Sequence, residues 1–291
     1  MDFFTVTHWL PYSLSAVLLL GVSMALYKMP SFKGYSSFHS TLWVNIFYFS
    51  LALVVFLLFG LPTSLFVVSW YGLLWGVFFA VTMLQQKLLL KRAETNTLLP
   101  VTSSIGSILT IVVGVLLFSE KISLVQMVGS VLVFMAVFLF SRKKGEFPLD
   151  TNSVGLSLGI IVASTITKYI QKIGATHDSI FHFALYQSLG AMVFSLVLIY
   201  IFEKHTISKI FEIKHTWKTS LTIAVFSTAA GYALLKALSI GPLSGVYAIQ
   251  PSYIFITAII GVILYKEVLT VRKVTLMFMT VIGIILIKLG Y

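Results

Sequence analysis

The sequence predicts an all-α polytopic membrane protein of ten transmembrane helices, built as two inverted-topology repeats of five. Three observations lead there. Hydrophobic residues are 58% of the 291 and charged residues 10%, with a mean hydropathy of +1.01. Soluble domains hold about 25% charged residues, so a surface this apolar must face lipid. Apolar runs of about 20 residues, the length that crosses a hydrocarbon core, recur along the whole chain. Finally, a late stretch repeats an earlier one. Aligning Glu120 with Glu267 also aligns Thr110 with Thr257, Gly114 with Gly261 and Leu117 with Leu264.

Taken in order, the first span is 9–27. Met1 to Thr7 holds Asp2 and no Lys or Arg, so the basic start of a secretory signal is missing and the span is expected to be retained. Spans 38–60 and 67–90 flank an uncharged connector around Pro62. Spans 96–118 and 122–141 hinge on Ser119-Glu120-Lys121, and the basic segment from Arg142 to Asn152 follows them. Span 153–172 closes on Lys168 and Lys172, span 180–202 follows the short connector His177-Asp178, expected to be solvated, and span 217–239 follows the polar stretch Glu203–Thr216. Spans 243–265 and 269–290 hinge on Lys266-Glu267. Each is long enough to cross as a helix, which satisfies its own backbone hydrogen bonds. Trp9, Trp43, Trp70 and Trp217 fall near span ends, where amphipathic rings prefer the interface.

The connector after Ser141 divides the chain into a first repeat, 1–145, and a second, 146–291. Five spans per repeat make the second run opposite to the first. This is the plan of many secondary transporters, whose binding site lies near the midplane between the repeats.

The residues Gly231-Tyr-Ala-Leu-Leu-Lys-Ala-Leu-Ser-Ile-Gly-Pro-Leu-Ser, Gly261-Val-Ile-Leu-Tyr-Lys-Glu-Val-Leu-Thr and Gly283, with Gly114-Val-Leu-Leu-Phe-Ser-Glu-Lys-Ile-Ser in the matching earlier place, carry a resemblance. The chain resembles the EamA-type transporters of the drug/metabolite transporter superfamily. That resemblance implies ten helices, inverted repeats, alternating access and a small-metabolite substrate, without naming one. The segment Phe59–Phe66 departs from the family, which often has a strongly basic loop there.

Orientation divides the two lines of reasoning. Fifteen of the twenty Lys and Arg fall on the side away from the termini. The positive-inside rule then places both termini outside the cytoplasm, whereas the resemblance implies that they are inside. The charge count, which belongs to this chain, is given the greater weight. With no native Cys, a single cysteine at Ser141 tests it: a membrane-impermeant thiol reagent should leave it unlabelled in intact cells, and labelling from outside would reverse the assignment.

Ionisable groups inside a bilayer are costly and mark functional positions. All nine carboxylates fall at span ends or in connectors, which disfavours a proton antiporter built on a central acid and a site for cations. Glu120 and Glu267 are expected to cap the helices that follow them, with Ser123 and Thr270 as further caps. Lys87, Lys168 and Lys236 lie near span ends, where they either snorkel to headgroups or turn into a cavity.

The ninth span is the richest. Pro251 removes a donor and breaks the helix, Gln250 supplies a donor and an acceptor, and Tyr247 and Tyr253 flank them. The expected substrate-binding residues are Tyr247, Gln250, Ser252 and Tyr253, with Gln85 and Gln86 from span three, Lys168 from span six and Tyr232 from span eight. Asn45, His182, Tyr186 and Gln187 are further polar residues inside spans.

No phosphate-cradling loop, nucleophile elbow or His-Glu-x-x-His motif occurs. No enzyme activity, catalytic residue, metal or cofactor is therefore expected. The net charge of +11 is read as orientation and lipid contact rather than nucleic-acid binding. The expectation is a secondary carrier of the cell (inner) membrane for a small polar metabolite, neutral, zwitterionic or anionic. The partners are that substrate and the lipid bilayer, with a homodimer left open. The alternative is a lipid-linked flippase or membrane-assembly subunit.

Overall fold

The computed structural model describes residues 9–27, 29, 37–60, 68–92, 95–141, 151–202, 217–266 and 270–290. Apart from short turns these are helical: α1 (Trp9–Leu26), α2 (Ser37–Val55), α3 (Trp70–Arg92), α4 (Thr95–Phe118), α5 (Leu124–Ser141), α6 (Thr151–His177), α7 (Ile180–Phe202), α8 (Trp217–Ile240), α9 (Leu243–Ile249), α10 (Tyr253–Tyr265) and α11 (Val271–Leu289). The end of α2 widens into a π turn over Phe56–Gly60. A single 3-10 turn, Gln250–Ser252, joins α9 to α10.

Among the described residues, five segments are long and apolar enough to cross a membrane: Trp9–Leu26, Ser40–Gly60, Ile180–Ile201, Trp217–Ile240 and Leu243–Tyr265. Shorter apolar stretches lie in α3, α4 and α5. Large apolar side chains such as Leu116, Leu124, Ile263 and Phe278 stand on the outer surface. Lipid, not water, makes such a surface stable.

Packing between the early helices (α1–α5) and the late ones (α6–α11) is reciprocal. The first helix of each group packs on the third of the other, as α1 does on α8 and α3 on α6. The second packs on the third, as α2 does on α8 and α3 on α7. The α2/α7 and α5/α11 pairs match like with like, and α4 meets both α6 and α9. The two hinge turns also correspond. Ser119 (φ 53°) and Lys266 (φ 54°) are the two described non-glycine residues in the left-handed region, each one residue before the glutamates that the sequence aligns. Glu120 N–H closes the first turn on the Gly114 carbonyl, and Lys266 N–H closes the second on the Gly261 carbonyl. Both are left-handed helix endings that satisfy otherwise orphaned carbonyls.

Close crossings rest on absent side chains. A Cβ at Gly76 would sit 2.6 Å from the Gly190 backbone, and one at Gly129 would sit 2.6 Å from the Gly283 carbonyl oxygen. These fix α3 on α7 and α5 on α11.

Three expectations need correction. The sixth span does not end at Lys172: α6 runs on to His177, and Lys172 is buried within it. Trp9 is not an interfacial ring but a core residue, 4% exposed and packed where Gly241 leaves room. Asp178 is not simply solvated, since its carboxylate accepts from the Ser69 hydroxyl, which in turn accepts from Gly72 N–H in the first turn of α3.

Candidate functional site

The core gathers α1, α3 and α7 around α8 and α9. Every residue of α9 is buried, which a seven-residue helix can sustain only if its end groups find partners. Glu120 provides them. Its carboxylate accepts from Leu243 N–H (2.6 Å) and Ser244 N–H (2.9 Å). The cap expected for the helix after Glu120 thus serves α9 instead, more than a hundred residues away. The start of α5 caps itself: Ser123 N–H donates to Gln126 Oε1, and Gln126 N–H to Ser123 Oγ. Thr270 Oγ1 accepts from Lys273 N–H in the same role for α11. Glu267 lies outside the described residues.

Lys172 completes the same corner from α6. Its ammonium donates to the carbonyls of Leu238 and Gly241, each at 2.7 Å. Opposite charges therefore hold the end of α8 and the start of α9 on either side of the turn at Gly241-Pro242.

Beyond that corner lies a cavity of about 290 Å³. It takes side chains from α1, α2, α3, α6, α7, α8, the 3-10 turn and α10, so both groups of helices line it. Its wall reaches Met24 and Tyr27 at the far end of α1. Trp75 and Phe79 form a stacked pair (4.7 Å, 13°) on the wall.

Gln250, Tyr253 and Lys168 reach this wall. Lys168 Nζ donates to Ser107 Oγ (2.9 Å) and sits 5.1 Å from the centroid of the Tyr247 ring. With α6 extending to His177, Lys168 lies about two and a half turns from its end, too deep to snorkel. Lys236, by contrast, is exposed, and the side chain of Lys87 lies outside the described residues. Tyr247 is fully buried behind the wall and donates its hydroxyl to Gln171 Oε1 (2.8 Å), so it sets two wall residues without lining the cavity. Ser252 is buried, and its hydroxyl donates to the Ile249 carbonyl at the helix break. Tyr232 packs on Phe181 off the wall (5.9 Å), and Gln85 fills the notch at Gly159. The side chain of Gln86 lies outside the described residues.

Other wall residues were not among the expected binding residues, although Asn45 and Gln187 stood out as polar residues inside spans. Tyr48 comes from α2, and its hydroxyl accepts from Gln187 Nε2 (2.6 Å). That hydroxyl occupies the space a side chain at Gly231 would need. Asn45 donates to Ser195 Oγ (2.6 Å), and Ser23 and Ser227 share a hydrogen bond (2.7 Å) beside the cavity. Two buried polar atoms on the wall have no protein partner, Gln187 Oε1 and Trp75 Nε1. Buried polar groups are nearly always bonded, so each such atom needs an explanation.

A family profile described as the EamA-like transporter family matches residues 153–289. The match covers 137 of the 291 residues, and over that stretch the chain is similar to the EamA-like transporters. This family of the drug/metabolite transporter superfamily consists of membrane transporters. A crystal structure described only as that of a protein superposes with a TM-score of 0.82 at 12% identity, covering 98% of this chain and 97% of its own. At that identity the likeness is one of fold, and it extends over both halves. No curated protein matches the chain. The EamA-like half contributes Lys168, Gln171, Gln187, Gln250 and Tyr253 to the cavity, and the first half faces them with Asn45, Tyr48 and Trp75.

Proposed function

We propose that the chain is a ten-span secondary carrier that moves a small polar metabolite by alternating access between two inverted repeats, 1–145 and 146–291. The observation that carries this reading is a largely apolar cavity holding a few polar side chains, two of them with unpartnered buried hydrogen-bonding atoms, at the meeting of the two groups of helices. In an apolar bundle such groups are expensive unless a ligand satisfies them. The reciprocal packing and the paired left-handed turns at Ser119 and Lys266 support the inverted repeat. The broken ninth span beside the cavity supports a site at the repeat interface. In this reading Gln250, Tyr253, Lys168 and Gln187 contact the substrate, Tyr247 holds Lys168 and Gln171 in place, and Ser252 holds the break.

A thermal-shift screen of the purified protein against amino acids, sugars and phosphorylated metabolites tests this, followed by counterflow in proteoliposomes. A ligand at about a thousand times its dissociation constant should stabilise the protein by about 4 kcal/mol. Gln187→Leu should weaken that stabilisation and slow counterflow. No stabilisation by any pool, and no counterflow, would count against a carrier.

A further inference from the structure

We propose that the cavity takes a monoanion, a carboxylate on a compact apolar body, and that Lys168 is its counter-charge. The proposal deepens the carrier reading and rests on it for the location of the site.

Helix α6 holds an internal comparison. Lys168 and Lys172 are one turn apart on one face. Lys172 shows how this fold treats a structural cation: two carbonyls accept from it, and the Glu120 carboxylate caps the other side of the same corner. Lys168 has one neutral oxygen partner, Ser107, and the face of Tyr247 beneath it. Among the described residues it is the one charged side chain on the cavity wall. The two described carboxylates are both engaged elsewhere, Glu120 at α9 and Asp178 at Ser69.

An ammonium offers three donors, and an ionised group in a low-dielectric site is costly until an opposite charge meets it. A ligand carboxylate placed against Nζ supplies that charge. The Trp75–Phe79 side of the wall suits the same ligand. Trp75 Nε1 is a free donor for a second anionic oxygen, and the stacked Trp75–Phe79 pair presents a flat apolar face. A zwitterion would bring an ammonium for which the described wall has no counter-charge. A cation would be repelled, and a neutral ligand would leave Lys168 uncompensated.

Matched triplets test the class: benzoate, benzamide and benzylamine, then 3-phenylpropionate, isobutyrate and their amides and amines. Each is measured by thermal shift on the wild type, Lys168→Met and Lys168→Arg. At least one carboxylate should stabilise the wild type more than its amide and amine do. Its apparent affinity should fall about ten- to a hundredfold in Lys168→Met, the scale of a charged hydrogen bond, and less in Lys168→Arg. Met matches the length of the Lys stem and removes a poorly compensated charge, so the variant should fold; Lys168→Gln serves if it does not. Amides or amines that bind as tightly as carboxylates, or carboxylate binding unmoved by Lys168→Met, overturn the proposal. If neutral or zwitterionic compounds bind instead and Gln187→Leu weakens them, the carrier reading stands while the anion assignment falls. If nothing binds, including the metabolite pools, both fall.

Discussion

Replacing Glu120 by Gln should loosen the corner that joins α8 to α9. The carboxylate accepts from two backbone N–H groups at the start of α9 and faces the charge of Lys172 across the Gly241-Pro242 turn. An amide has one oxygen for those two donors, and its NH₂ would confront the other. Hydrogen bonds to a charged group contribute about 1.5–3 kcal/mol each, and a buried donor left without a partner costs a similar amount. The expected result is a loss of about 2–3 kcal/mol in stability. Leu243, fully buried in the wild type, should react faster with a thiol reagent when it is replaced by Cys in the Glu120→Gln background. If melting temperature and labelling rate both stay at wild-type values, the corner is not what holds α9 in place.

Gly76→Ala should be among the most damaging single-methyl changes in the protein. The added Cβ would sit 2.6 Å from the backbone of Gly190 and 2.9 Å from Ala191 N. Backbone cannot step aside as the tip of a side chain can, so α3 and α7 must separate. Overpacking of this kind costs about 1–3 kcal/mol, even though alanine is the better helix former by about 1 kcal/mol. Gly155→Ala is the matched control. Nothing lies within 4 Å of its added Cβ, so it should stabilise slightly. Because Trp75 and Gln187 approach the cavity from these two helices, Gly76→Ala should also reduce ligand binding, measured by thermal shift, and Gly155→Ala should not. Equal melting temperatures for the two variants would show that the crossing adapts.

Much of the helical order was legible in the sequence, because apolar length decides what a helix can do in lipid. The matching hinge turns were legible too. The glutamates that align in the sequence each follow a left-handed residue, Ser119 and Lys266. Pro251 marked the break in the ninth span, and a 3-10 turn stands there. The partners of the charged groups were not legible. Lys168 and Lys172 look alike at one-turn spacing, and what separates them is Glu120 and two carbonyls of α8, each far away in the chain. The same distance hid the true target of the Glu120 cap. Tyr48 and Trp75 were missed because their helices show almost no difference between one face and another. Where lipid and protein interior are equally oily, an inward-facing polar residue leaves little periodic trace.

The 3-10 turn at Gln250–Ser252 divides the ninth span into a short arm held by Glu120 and a long one held by neighbours. Helix α10 has 13 residues and so a length of about 20 Å. Tilting it by about 10° about Pro251 would carry its far end roughly 3 Å, by that length. That exceeds the slack in the contact at that end, where the Tyr265 hydroxyl donates to the Ala25 carbonyl at 2.8 Å. Nearer the pivot, α10 and α1 are locked together, with Thr257 bonded to the Gly21 carbonyl (3.0 Å) and Ile256 in the space Gly21 leaves. A change of angle at one proline would thus be transmitted as leverage. It is small where Gln250 and Tyr253 meet the cavity and large where α1 ends, beside the cavity-wall residues Met24 and Tyr27.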